Sequence, residues 1–115
     1  MNVEAYLAEM QPITESLLRE VAKALNGAPD GAWTNAGEMQ AGDMFCEYRR
    51  RAYEVALQMR TDAAEAAFSP VDPLTKQRLR NKGIESRSTV TVNGRVVIKR
   101  RRWQIKGVGH SAKKL

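Results

Sequence analysis

The sequence predicts an α+β chain: an N-terminal helical hairpin with a long second helix, then a basic C-terminal β-hairpin and a disordered tail. Three observations predict it. Apolar residues recur at steps of three and four from Val3 to Ala66. Two β-branched runs flank Asn93-Gly94, a pair that tolerates the positive φ a type I′ hairpin turn demands. The charge also divides sharply. Residues 1–73 hold 6 Lys/Arg and 12 Asp/Glu, whereas residues 74–115 hold 13 Lys/Arg and a single acid, Glu85. Three units follow: an acidic helical hairpin (1–73), a basic arm with the β-hairpin (74–106) and a flexible tail (107–115).

Asn2 is placed to cap a first helix that begins at Val3, with Tyr6, Leu7 and Met10 at helical spacing. Pro12 predicts a break or kink near Gln11 and then a helix from Pro12 to Asn26, because proline suits a first turn and not an interior. Ile13, Leu17, Leu18, Val21 and Leu25 form its apolar stripe. Gly27 is a fitting left-handed C-terminal residue, with Pro29 just beyond. Trp33, in the loop from Gly27 to Thr34, is predicted to fold back onto the helices.

The second helix is predicted over 35–68. Asn35 and Glu38 resemble a capping box. Ala41, Phe45, Tyr48, Ala52, Val55, Met59, Ala63 and Ala66 make a sustained seam. Glu47/Arg51 and Arg50/Glu54 are i,i+4 pairs on its flank, and Ser69-Pro70 stops it. The seam should pack antiparallel on the first helix. Its length, beside a broken partner, predicts a homodimer through the second helix.

Beyond the prolines, Lys76 to Lys82 carries four cations and is predicted to form a helical turn or two, closed by Asn81 or Gly83. The strands are predicted at 86–92 and 95–105. A two-residue turn at Asn93-Gly94 would set Val90 against Val97, Arg87 against Arg100 and Glu85 against Arg102. Alternation then puts Val90, Val92, Val97, Lys99 and Arg101 on one face. Thr89, Thr91, Val96, Ile98, Arg100 and Arg102 take the other. Like charges opposite one another are unfavourable, and a polyanion laid across Arg87 and Arg100 would relieve them. An isolated two-stranded ribbon is marginal in water, so the Val90/Val97 region is expected to dock on the helices or on a partner.

Several chemistries find no support. One cysteine, Cys46, excludes an internal disulfide, and no Cys/His cluster has zinc spacing. His110, the only histidine, sits in the tail and does not pair with Cys46. Gly107-Val108-Gly109 lacks the Lys-Ser/Thr of a phosphate loop. Glu4, Glu9, Glu15 and Glu20 look like helix surface. No enzyme activity, cofactor, metal or small-molecule substrate is expected. The start has no signal-peptide pattern and no run crosses a membrane, so a cytoplasmic chain is expected.

The strongly basic arm predicts a nucleic-acid partner. DNA is favoured over RNA, because Trp103 is the arm's only aromatic stacking surface. The expected contacts are Lys76, Arg78, Arg80, Lys82, Arg87, Lys99, Arg100, Arg101 and Arg102. About four to six of them would touch phosphates at once, for a log–log salt slope of roughly −4 to −5. The alternative is a helical protein-interaction or oligomerisation module whose cations only keep an edge ribbon soluble.

The run from Phe68 to Gly83, with Pro70, Asp72-Pro73 and Lys76-Gln77-Arg78, and the run from Ser88 to Trp103 resemble a known region. They look like the N-terminal part of bacterial insertion-sequence transposases of the Kra group, over about a third of the chain. In that family a DDE catalytic domain, an RNase H-like fold using divalent metal, follows this region. The resemblance implies a non-catalytic, DNA-contacting front end. The sequence stops at Leu115, before the catalytic acids, and lacks the Cys pairs of some relatives after the hairpin. The resemblance therefore implies the family's front end truncated before its catalytic domain, either as a truncated gene product or as a separate small protein derived from one, with no catalytic residue to carry over.

Overall fold

A computed structural model describes residues 1–29, 31, 35–104 and 111–112. The order is α1 (Val3–Gly27), α2 (Asn35–Ala66), β1 (Arg80–Thr91), β2 (Gly94–Gln104) and β3 (Ser111–Ala112). The α+β layout of a helical hairpin followed by an antiparallel β-hairpin is as the sequence predicts. Of the tail, Ser111 and Ala112 pair with Gln104 and Trp103 as a short third strand. The rest of the tail lies outside the described residues, as do Trp33 and the side chain of Asn35.

Asn2 caps α1 as expected, its Oδ1 accepting the Ala5 N–H at 3.1 Å. The break at Pro12 does not occur: α1 runs unbroken through it. Pro12 lies on the exposed side. There water can satisfy the carbonyl that loses its helical N–H, and burial on both sides of the proline holds the helix together. Nor does α1 end on a left-handed glycine. Gly27 stays helical and the Ala28 N–H bonds the Leu25 carbonyl at 3.3 Å.

The two helices lie antiparallel. Tyr6 donates its hydroxyl to the Ala52 carbonyl at 2.8 Å, and the Thr14 and Tyr48 hydroxyls meet at 2.8 Å. At the closed end Gly37 faces Leu25 so closely that a Cβ there would sit 2.6 Å from Leu25 Cδ2. The seam residues Tyr48 and Ala52 thus serve the intramolecular hairpin.

Between Pro70 and Leu79 the chain makes a tight turn where helical turns were expected. Val71 bridges Arg78, and Asp72 gathers the Leu74 N–H and the Thr75 hydroxyl, each at 3.0 Å. Those bonds hold the Asp72 carboxyl below its usual range, the Leu74 N–H contributing most. Lys76 takes a φ of 61°. An Asx-type turn competes with helix for these groups and wins beside two prolines. Asn81 does not close a helix but accepts the Gly83 N–H at 2.8 Å, and Gly83, at φ 89°, sits in a bulge of β1 between Asn81 and Ile84.

The β-hairpin forms, with a different turn. Thr91 pairs with Gly94, so Val92 and Asn93 make the loop. Neither has positive φ, and Gly94 has φ 112°. The Thr91 hydroxyl decides this. It accepts the Asn93 N–H at 3.1 Å and donates to the Gly94 carbonyl at 2.8 Å. Every cross-strand partner shifts by two places: Val90 faces Arg95, Arg87 faces Ile98 and Glu85 faces Arg100. A two-place shift keeps each side chain on its predicted face. It replaces the like-charge Arg87/Arg100 pair with an opposite-charge one.

The predicted docking face is reversed. Val90 and Val97 are exposed, while Val96 is fully buried and Ile98 nearly so. The cause is how α2 meets the ribbon. It lies along the outer edge of β2 and offers side chains to the backbone there. Arg50 donates to the Arg95 carbonyl at 3.2 Å, and Glu54 accepts the Val97 N–H at 2.9 Å. Gln58 bonds both the N–H and the carbonyl of Lys99 at 2.8 Å, and Glu65 accepts the Arg101 N–H. Four helical residues rise about 6 Å, close to the rise of two strand residues, so a helix stepping by four can serve a strand stepping by two. The helix thus stands in for a neighbouring strand and covers the edge.

The molecule is open. Its radius of gyration is 20.5 Å, against about 13 Å for a compact chain of this length. Among the described residues only Met10, Leu79, Val96 and Ile98 are buried apolar side chains.

Candidate nucleic-acid interface

With α2 and β3 on one edge of β2, β1 is the outer strand of the sheet. Its free edge begins in the turn that carries Lys76 and Arg78 and continues through Arg80, Lys82 and Arg87. All five side chains are exposed. None makes an ion pair with a described residue. At strand rise, Arg80 and Arg87 stand about 20 Å apart, a span of about six base pairs of duplex.

The remaining predicted residues divide. Lys99, exposed, and Arg101, half-buried, project from the face they share with Ser86 and Ile84. Arg100 and Arg102 project from the other. Arg100 is withdrawn from solvent, at 3% exposure, with its Nε 3.2 Å from Glu85. The same carboxylate lies 3.4 Å from Arg102 Nε. Arg100 is therefore not available to a duplex backbone lying across the arm, contrary to the sequence-based expectation. The single acid of the arm is spent on holding it.

Sequence reasoning passed over two sets of residues. Glu54 was expected only as a flank partner of Arg50, and Gln58 and Glu65 were passed over, yet all three position β2. The Val97 N–H, followed by Arg51 and Arg50, holds the Glu54 carboxyl below its usual range, and the Arg50 bond does the same for Glu47. The signal was present as polar residues at 50, 54 and 58, in step with outward backbone groups at 95, 97 and 99. Arg60 was also missed. It projects from α2 into a cleft shared with Arg87 and Arg100.

Among the described residues no cluster of His, Cys, Asp and Glu could hold a metal ion. No described helix is long and apolar enough to cross a membrane. Compared with protein-family models, with curated proteins and with solved structures, the chain matches none.

Proposed function

We propose that the chain is a non-catalytic DNA-binding module that holds the duplex by phosphate contacts along the free edge of β1, as a transposase-like front end would. The observation that carries this reading is the row of exposed cations Lys76, Arg78, Arg80, Lys82 and Arg87, unpaired among the described residues. Unpaired cations in a row release counterions from a polyanion, and the binding is then salt-dependent and weakly sequence-selective. Four or five contacts give a log–log salt slope of about −4. Replacing Arg80, Lys82 and Arg87 by Gln should flatten it by about two to three units, and replacing Lys99 and Arg101 on the reverse face by less than about one. Electrophoretic or anisotropy titrations over a salt series measure both. Absence of binding at low salt, or a slope indifferent to the edge variants, defeats the reading.

A second reading rests on the other end of the molecule. Val3, Leu7, Leu18, Leu25 and Phe45 are between 44% and 60% exposed on the helical hairpin. We propose that these side chains, four from α1 and Phe45 from the α2 seam, would form the contact if the chain self-associates. Sedimentation at micromolar concentration with Leu7→Glu and Leu18→Glu variants tests it; a monomer at every concentration removes it.

A further inference from the structure

We propose that the cleft between α2 and the buried face of the β-ribbon binds a phosphate monoester with an apolar body, of the nucleotide class. The cleft encloses about 350 Å³, with Leu57, Ile98, Arg60, Arg87, Thr89 and Arg100 among its lining. That volume lies at the small end of ligand pockets, at about 300–1,000 Å³, and is far more than a bare phosphate needs.

Its chemistry is two-sided. Leu57 from the helix and Ile98 from the strand supply apolar surface. Three guanidiniums supply charge: Arg60 from α2, Arg87 from β1 and Arg100 from β2. Arg100 is the telling one. It is 3% exposed, Glu85 reaches only its Nε at 3.2 Å, and its buried Nη2 has no acceptor. A guanidinium presents five N–H donors in a fixed fork, and a buried charged donor left without an acceptor is expensive. Glu85 cannot supply more, since its other oxygen lies against Arg102. Nor does the Thr89 hydroxyl bond any described residue. Three positive charges against one shared carboxylate leave an excess that suits a dianion better than a carboxylate. Phosphate also matches the guanidinium fork.

This site does not rest on the duplex reading. The duplex reading uses the free edge of β1, whereas the cleft lies on the side of the ribbon that faces α2. Arg60 belongs to the cleft alone, so its variant separates the two. The test uses the full ¹⁵N-labelled chain, titrated in turn with thymidine 5′-monophosphate, thymidine, inorganic phosphate and single-stranded oligothymidylate. The arginine Nε–H signals and the Ile98 and Thr89 amides are followed.

The expected result is saturable movement of the Arg60, Arg87 and Arg100 signals with the monophosphate. Inorganic phosphate should bind about tenfold more weakly, and thymidine should not saturate. Arg60→Gln should weaken the monophosphate about tenfold while leaving the circular dichroism and the duplex salt slope unchanged. Arg100 is buried against Glu85 and Arg87 also belongs to the duplex edge, so Arg60→Gln carries the test. Saturation by the mononucleotide marks a free nucleotide as ligand. Saturation by oligothymidylate alone marks an unstacked nucleotide of a single strand. The proposal is overturned by shifts that fail to saturate with either, by equal affinity for inorganic phosphate, or by binding indifferent to Arg60→Gln.

Discussion

The helical hairpin and the basic arm handle charge in opposite ways. On the helices, four of the six cations are answered locally: Arg19 by Glu15, Lys23 by Glu20, Arg50 by Glu47 and Glu54, Arg51 by Glu54. Apolar side chains such as Leu7 and Leu18 are what the helices leave open. On the arm the apolar side chains Val96 and Ile98 are covered, and the cations along β1 are left open. One region has acids to spare for its cations and is incomplete in packing. The other is packed where it meets α2 and unbalanced in charge. The difference teaches where an external partner would be sought: a polyanion by the arm, an apolar surface by the helices.

The two regions meet along the β2 edge, and Glu54 is the joint's strongest member. Its side chain is only 13% exposed and it serves the Val97 N–H, Arg50 and Arg51 together. Glu54→Ala strands the Val97 N–H and removes the carboxylate that Arg50 and Arg51 share, and should cost about 3 kcal/mol. It should also uncouple the regions, so that helix loss by circular dichroism and strand loss by amide exchange at Val97 cease to coincide. Acid should reproduce part of this. The folded Glu54 pKa lies below the unfolded one, so its contribution is complete above the ordinary carboxylate range and is lost as pH falls through the lowered value. Val97 protection should therefore hold at neutral pH and decline only below about pH 4. A decline that is absent in Glu54→Gln assigns it to this carboxylate.

Pro12→Ala acts within the helices alone. An interior proline is unfavourable by about 3 kcal/mol relative to alanine. Solvent on the exposed side recovers some of that, so the variant should raise stability by about 2 kcal/mol. A thermal melt measures it. If Pro12→Ala leaves the melting temperature unchanged, the unbroken course of α1 through Pro12 is wrong.

Much of this layout was legible in the sequence because it rests on periodicity. Helical spacing from Val3 and from Ala41 reports the helices' contact faces, and alternation from Thr89 to Arg102 sorts the ribbon into two faces without saying which one is buried. What was not legible depended on competition between near-equal local options. Asn93-Gly94 favours one turn, but Thr91 can fasten the chain one residue earlier, and a hydroxyl's choice of partner has no period. Pro12 reads as a break only if its face is buried. Asp72 looks like connector until its carboxylate is seen holding Leu74 and Thr75. The edge cover by Glu54, Gln58 and Glu65 was hidden for a different reason. Polar residues on a helix flank are ordinarily solvated, and nothing in their own segment says that a strand lies against them. Of the candidate site, the cations of the arm were visible as a count, but the burial of Arg100 follows from the register and could not be read before it.

The smallest effect sharpens the contrast most. Glu15 and Arg19 form a 2.7 Å pair on α1, with side chains 59% and 70% exposed. By distance it is as good as any ion pair among the described residues. In water, however, the Coulomb gain at such a site is screened, and two long side chains must be held still to realise it. Glu15→Ala should therefore change stability by no more than about 0.5 kcal/mol. The contrast with Glu54 is then one of environment, since both are carboxylates facing arginines on a helix. Glu54 is sheltered and also serves a backbone N–H; Glu15 is neither sheltered nor shared. Glu15→Ala raises the net positive charge by one but lies off the β1 edge. It should leave the slope of DNA binding against salt unaltered within about half a unit. A stability loss approaching that of Glu54→Ala would show that pairing alone, without burial, sets the value of these charges, and would erase the distinction between the two regions.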